Sequence, residues 1–365
     1  MMKIIRTFSG LLLLSCLYGS VDGAIIIDHT CADLDQIPAL WIEAVQDNIP
    51  SHYAHTSHGG QLTYGIQFIE TADPFYDYAI GNSYLPTVPD AWCIFNGQET
   101  NTYIGPELYW QNDNGMNLTR DVLDNNPTIL TSMWCWCCQC DSYSEADVQA
   151  YLDSMTVLES EYPGVTFIYF TGNAQTEGSG GYNRWQRNEQ IRDYCISNNK
   201  ILFDFADLDC WWFNPGTSSW EHHTYSYGGD EIPAEHPEFN GNEYGHTTAE
   251  SCIQKGEALW WMMAVIAGWQ GTGIEETETD AGYELKIISS NPASGNIMLS
   301  YSIPEICTVR MRVYACDGRM VSSPVDGEVA PGNHEIILED LHSGIYHCVI
   351  VAGEFRDTVS VVLLN

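Results

Sequence analysis

Lysine and arginine are scarce in this chain: 13 in 365 residues, against 49 aspartates and glutamates, for a formal net charge of −36. Phosphate recognition needs clustered basic side chains, so this balance argues against nucleic acid and anionic membrane as partners. Acidity on this scale serves solubility more directly than it names a partner. Long apolar runs are also missing. Leu259 to Ala267 is apolar but falls short of the ~20 residues a spanning helix needs. No two histidines are spaced i, i+4 on one predicted helix, so no specific zinc or copper signature marks His52, His55, His58, His222, His223, His236 or His246. No metal ligands and no cofactor are assigned from the sequence.

What is present begins with an export signal. Lys3 and Arg6 precede an apolar stretch from Phe8 to Tyr18, and Val21-Asp22-Gly23 supplies small residues before Ala24. Residues 1–23 are read as a signal peptide; Leu13-Leu14-Ser15-Cys16 also fits a lipobox, in which Cys16 would carry lipid. Export permits disulfides. The chain has 13 cysteines, four of them crowded into Cys135-Trp136-Cys137-Cys138-Gln139-Cys140. They do not form the separated pairs usual in zinc modules. Bridges to Cys93, Cys195, Cys210 or Cys252 are the expectation, with the pairing not readable from sequence.

Residues 24–270 alternate short apolar runs with helical patterns. Ala24 to Asp28, Ser51 to Ala54, Thr128 to Trp136, Val165 to Phe170 and Ile201 to Phe205 read as strands. Ile37 to Ala44, Leu62 to Thr71, Ser144 to Tyr162, Tyr182 to Asn198 and a last stretch opened by Thr247 and Glu250 read as helices. Ser144 with Asp147 makes a capping-box start. Strands apolar on both faces, interleaved with helices, predict a parallel sheet covered by helices. In such sheets, sites form at the carboxyl ends of strands. Cys210 to Gly245 reads as a long loop rich in aromatic residues, a length that points to function. Residues 271–282 are rich in Gly, Thr and Glu and read as a linker. Residues 283–365 carry strand signals at short spacing without helical periodicity, which predicts a small all-β sandwich.

The residues for acyl transfer by a serine are in place along the chain. Ser57 follows a strand inside His55-Thr56-Ser57-His58-Gly59-Gly60-Gln61, a turn that would present a nucleophile. His246 is the candidate base, Glu243 its orienting acid with Asp207 or Asp209 as alternatives, and Asn173 an oxyanion donor together with the Ser57 backbone N–H. This order resembles the SGNH, or GDSL-type, hydrolases, with Gly97 as a further oxyanion contributor. The family's Gly-Asp-Ser stands here as His55-Thr56-Ser57, its Gly-x-Asn as Gly172-Asn173, and its Asp-x-x-His as Glu243 to His246. The resemblance implies a three-layer, flavodoxin-like α/β domain with ester hydrolase activity, acting on an acylated carbohydrate or similar polymer. His55, His58, Gly97 and Gln61 would then face substrate.

The C-terminal stretch resembles type IX secretion sorting domains. The residues that carry this are Asn291-Pro292-Ala293, Tyr301-Ser302-Ile303-Pro304, Val313-Tyr314, Asp317-Gly318, Ala330-Pro331-Gly332-Asn333-His334 and Leu341-His342-Ser343-Gly344-Ile345-Tyr346. Its tail, Val359 to Asn365, lacks the basic residues with which such domains often end. That resemblance implies the outer surface of a Gram-negative bacterium, or release from it, with secretion machinery as partner. Two rival classes remain: a non-catalytic glycan-binding protein that uses the aromatic loop, and a metal- or redox-active protein built on the cysteine cluster.

Overall fold

The computed structural model describes residues 23–269 and, in the C-terminal part, residues 284–364 apart from 289–292, 295, 304–305, 316–318, 331, 339–340 and 354. The predicted signal peptide (except Gly23), the linker and the Asp317-Gly318 turn lie outside the described residues. The chain divides into two compact units, Met1–Gly273 and Ile274–Asn365.

The first unit is built on seven strands: β1 (Ile25–Ile27), β2 (Ser51–His55), β3 (Tyr78–Asn82), β4 (Trp92–Asn96), β5 (Thr131–Cys135), β6 (Thr166–Phe170) and β7 (Ile201–Phe203). They form one sheet in the order β1-β7-β6-β5-β2-β4-β3, with every pairing parallel. Strand β5 is buried at all five positions and β2 at its first four, as expected of strands covered on both faces. Five of the largest fully buried side chains are tryptophans, Trp92, Trp110, Trp134, Trp136 and Trp260. Much of the aromatic content therefore fills the core.

Among the described residues seven α-helices accompany the strands: α1 (Ala39–Asn48), α2 (Gly60–Ala72), α3 (Asn112–Asn125), α4 (Glu145–Glu161), α5 (Gly178–Ser197), α6 (Phe205–Cys210) and α7 (Ala249–Ile266). Helices α1 and α2 pack on α7; α3 and α5 pack on α4. The capping box at Ser144 forms as expected, each partner bonding the other's backbone. Helix α7 differs in one detail: its N-cap is Thr248, which accepts from Ser251 N–H, whereas Thr247 is fully buried and bonds elsewhere. Helix α3 is not legible as a helix. Its sequence is rich in Asn and Asp and no element is assigned there from the sequence, and Gly115, Met116, Thr119, Val122 and Leu123 form its buried stripe. The long loop after Cys210 contains two short hairpins, β8 (Trp211–Asn214) with β9 (Ser219–His222), and β10 (Thr224–Tyr227) with β11 (Asp230–Pro233).

Among its described residues the second unit has eight strands, β12 (Glu284–Ile287), β13 (Ala293–Ser294), β14 (Ile297–Ile303), β15 (Cys307–Ala315), β16 (Met320–Val329), β17 (Gly332–Leu338), β18 (Gly344–Ala352) and β19 (Phe355–Leu364). They form sheets β12-β14-β17 and β13-β19-β18-β15-β16, antiparallel except for the short β13–β19 pair. Strand β14 alternates buried and half-buried along its length. Its buried side chains Ile297, Leu299, Tyr301 and Ile303 share one core with Val309, Met311 and Ile350.

Helices α2 and α7 meet backbone to backbone. A Cβ on Gly65 would lie 2.0 Å from the Cys252 carbonyl oxygen, and one on Gly256 2.7 Å from the Gly65 carbonyl carbon. The modest helix-propensity gain of alanine cannot offset backbone overlap of this kind. Gly65→Ala and Gly256→Ala are each expected to cost roughly 2 kcal/mol or more and to lower Tm by at least about 4 °C. Gly164→Ala, with open space at its Cβ, is expected to shift Tm little in the same calorimetric series.

Candidate active site: a thiol–imidazole pair at the strand switch

The sheet order reverses at β2. Chain leaving β2 builds β3 and β4 on one side, and chain after β4 builds β5, β6 and β7 on the other. The carboxyl ends of β2 and β5 therefore lie at the switch point, where ligand sites form in sheets of this kind. The register pairs His55 with Cys135, so the turn after β2 and the segment after β5 start level with one another.

Those segments carry Ser57, His58, Cys137 and Cys138. Cys137 Sγ lies 3.0 Å from His58 Nδ1 and 3.4 Å from Ser57 Oγ. Cys138 Sγ lies 3.8 Å from Cys137 Sγ and 4.0 Å from His58 Nδ1. His58 is buried, Cys137 half-buried and Cys138 exposed. On the far side of the ring, His58 Nε2 is 2.7 Å from Gln175 Oε1. The Gln175 amide nitrogen donates to Glu235 Oε1 at 2.9 Å and to the His246 carbonyl at 2.5 Å, which fixes the amide orientation. An amide oxygen only accepts, so Nε2 carries a proton. In neutral His58 the lone pair on Nδ1 therefore faces the sulfur.

The electrostatics follow from these contacts. Cys137 is held far below the ordinary thiol range, first by contact with the Cys138 thiol; burial opposes the shift, and His58 and Ser57 add to it. Cys138 is pushed up by the same contact and by burial. For His58, burial disfavours the charged ring, but the Cys137 sulfur and Gln175 oxygen outweigh it and the net shift is upward. The pair thus favours thiolate and imidazolium. The other thiols behave differently: burial pushes Cys31 and Cys252 up to about 12, and raises Cys135, Cys140, Cys195 and Cys210 as well. All eleven described cysteines are free, including those expected to bridge the cluster.

The remaining candidates fall into two groups. Asn173 is beside the pair: its Nδ2 donates to the Cys137 carbonyl at 2.6 Å and its Oδ1 accepts from Gln175 N–H. The exposed ring of His246 lies against His58, with centroids 4.8 Å apart, and its Nδ1 is 3.1 Å from Asn242 Oδ1. Among the described residues no hydrogen bond joins Ser57 to His246 or His246 to Glu243; Glu243 Oε2 instead accepts from Asn242 N–H. Gln61 Nε2 donates to the Gly245 carbonyl and ties α2 to this loop. His55 Nδ1 is 2.8 Å from the Thr56 carbonyl, and its ring stacks on Tyr53. Gly97 occupies a turn at φ +89, where a Cβ would meet the Asn101 carbonyl at 2.3 Å. Its own carbonyl meets Nε2 of the fully buried His52, a core histidine held between Gly97 and Ser132.

The residues that sequence reasoning left unjoined are Cys137, Gln175 and Glu235. A cysteine after one central strand and a histidine after its neighbour were visible; their adjacency depends on the strand order. Behind Gln175, Glu235 Oε1 also accepts from Thr247 at 3.2 Å. Burial, then the charge of Asp209, pushes Glu235 up to about 7. Asp209 itself pairs with Lys255 at 2.7 Å, both side chains fully buried, and takes the Ala174 N–H at 2.7 Å.

The chain matches no family model and no curated protein. Similar solved structures include the sulfur carrier protein SoxY from Chlorobium limicola f thiosulfatophilum, at 15% identity and TM-score 0.17, covering 22% of this chain and 79% of that one. An endo-β-1,4-mannanase double mutant from Cellulomonas fimi gives 9% identity and TM-score 0.23, covering 94% and 100%. An engineered protein gives 9% identity and TM-score 0.24, covering 93% and 99%. At these scores none of them carries an argument about fold or function.

Glu235 makes stability pH-dependent in a stated direction. Its folded-state pKa is raised, so the folded chain holds the extra proton between about 4.5 and about 7. Its contribution is present below about pH 4.5 and is lost as pH rises through about 7. The unfolding free energy of Glu235→Gln relative to the native chain is expected to grow from pH 5 to pH 8, by on the order of 1–3 kcal/mol. Urea titrations at four pH values check this; a flat difference removes the buried-carboxyl account.

Proposed function

We propose that the first unit hydrolyses acyl bonds, of the ester class, with Cys137 as the nucleophile. The observation that supports this most is the 3.0 Å contact between Cys137 Sγ and His58 Nδ1, with Gln175 Oε1 fixing the opposite ring nitrogen. Nucleophile, base and orienting amide stand in the relation that cysteine–histidine hydrolases on unrelated folds use. Strands β4-β2-β5-β6-β7, taken alone, follow the 2-1-3-4-5 order of flavodoxin-like sheets, with the pair at the switch point. This agrees with what the SGNH resemblance implies for the fold, while the nucleophile moves from Ser57 to its neighbour in space.

In the first step the Cys137 thiolate attacks the acyl carbon and the carbonyl π electrons move to oxygen. As the tetrahedral species collapses, the leaving alkoxide takes the proton from His58 Nδ1 and a thioester remains on Cys137. His58 Nδ1 then removes a proton from water, the hydroxide attacks the thioester, and the thiolate leaves. The Ser57 hydroxyl, 3.4 Å from the sulfur, is placed to donate to the oxyanion. Gln175 and Glu235 keep the ring in its working orientation. An acylated carbohydrate is the substrate class we favour. The C-terminal sandwich would serve sorting to the cell surface of a Gram-negative bacterium.

Turnover of p-nitrophenyl acetate by single variants tests this. Cys137→Ala and His58→Ala are expected to lose roughly 10²–10⁴-fold in kcat/KM, and Ser57→Ala, as the loss of one oxyanion donor, roughly 10²-fold. Loss in Ser57→Ala with activity kept in Cys137→Ala would return the nucleophile to the serine of the SGNH resemblance. Equal rates in all three, matching buffer alone, would leave the non-catalytic glycan-binding reading.

A further inference from the structure

We propose that His58 Nδ1, Cys137 Sγ and Cys138 Sγ form a three-ligand site for a borderline-soft divalent cation of the zinc class, whose binding silences the nucleophile. This rests on the preceding reading only for its consequence, the silencing; the binding stands on geometry.

The three donor atoms come from two segments that leave adjacent strands, and all lie within 4.8 Å of one another. Zn–S bonds of about 2.3 Å and Zn–N bonds of about 2.05 Å at tetrahedral angles require donor separations of about 3.8 Å between sulfurs and about 3.6 Å between sulfur and nitrogen. The sulfurs are 3.8 Å apart, and the two sulfur–nitrogen distances, 3.0 and 4.0 Å, straddle the required value. A small rotation of the imidazole would equalise them. The fourth position would fall to an oxygen. Ser57 Oγ lies 3.4 Å from Cys137 Sγ, close to the roughly 3.5 Å edge a tetrahedral oxygen ligand would need.

The surroundings suit a metal as well as the distances do. A ligating imidazole works best when its second nitrogen donates to a fixed acceptor, and His58 Nε2 has Gln175 Oε1 at 2.7 Å. Asn173 braces the Cys137 carbonyl, so the segment carrying both sulfurs is held in place. Two thiolates with one neutral imidazole give a donor set of charge −2, matched to a divalent cation, in a chain of net charge −36 that attracts cations at long range.

One other group of donors occurs among the described residues, Asp28, His29 and Asp207. One oxygen of each carboxylate is already engaged: Asp28 Oδ1 accepts from Thr30 N–H and Oγ1–H, and Asp207 Oδ1 meets both His29 N–H and Nδ1. It serves as the internal control.

The experiment is a titration of the reduced full chain with cadmium, read by sulfur-to-metal charge-transfer absorption, and with zinc, read by equilibrium dialysis. One equivalent is expected, with the absorption of two thiolates. Cys138→Ser should halve the absorption per metal, and Cys137→Ser, Cys138→Ser and His58→Ala should each weaken binding roughly 100-fold or more, beyond what loss of an outer-shell partner gives. His29→Ala should bind as the parent does. Absence of a stoichiometric metal, or affinity unchanged in both cysteine variants, overturns the site. A chain that hydrolyses ester but takes no zinc refutes this inference alone. One that takes zinc but never hydrolyses ester refutes the catalytic reading alone.

Discussion

The ion pair between Asp209 and Lys255 is the constraint on which the site's architecture rests. Both side chains are fully removed from solvent, so each charge is tolerable only because the other is 2.7 Å away. Removing one partner would leave an uncompensated buried charge, a defect worth roughly 3–5 kcal/mol. The pair also joins three parts of the chain. Lys255 lies on α7 and Asp209 on α6, while Asp209 Oδ2 receives the N–H of Ala174 just beyond β6. Ala174 is followed by Gln175, the residue that orients His58. A charge pair that takes no part in bond-making thus sets the position of the amide on which the imidazole depends.

Burial is the main reason Glu235 resists ionisation; the charge of Asp209 adds to it, and Lys255 only partly offsets that charge. Its proton is held instead, and Gln175 donates to it in either state. Two hydrogen bonds from one amide nitrogen, to Glu235 and to the His246 carbonyl, link this cluster to the loop that precedes α7. The positive φ of His246, +75, is the backbone conformation in which this contact is made.

Five of the sheet's seven strands were legible in the sequence because apolar runs such as Phe167 to Phe170 and Met133 to Cys135 have no polar face to hide; β3 and β4, set among prolines, glycines and polar residues, were not. Helix α4 was legible because Ser144 and Asp147 mark its start and Val148, Tyr151, Leu152, Met155 and Leu158 repeat at helical spacing. Helix α3 was not, since its polar residues outnumber a stripe that packs through Gly115 and Thr119 as much as through larger side chains. The site was half legible. Ser57, His58 and Asn173 could be named from their places after strands, and so could the cysteine cluster. Chain order alone could not pair His58 with Cys137, 79 residues away, because that depends on β5 lying beside β2. Nor could it separate His246, which lies against His58, from Glu243, whose carboxylate turns back on its own loop.

Every described cysteine being unbridged has a bearing on how this protein meets its surroundings. Among the described residues no disulfide staples the first unit; tryptophan packing and helix contacts hold it. Reductants therefore have no cross-link to break there, and burial keeps the sulfurs at Cys135, Cys140, Cys195 and Cys210 protonated and out of reach. The sulfurs open to oxidants among the described residues are the exposed Cys138 and the half-buried Cys137, Cys93 and Cys307. Among the described residues scaffold and sulfur chemistry are thus separate: oxidation of Cys137 and Cys138 would break no cross-link that holds the fold.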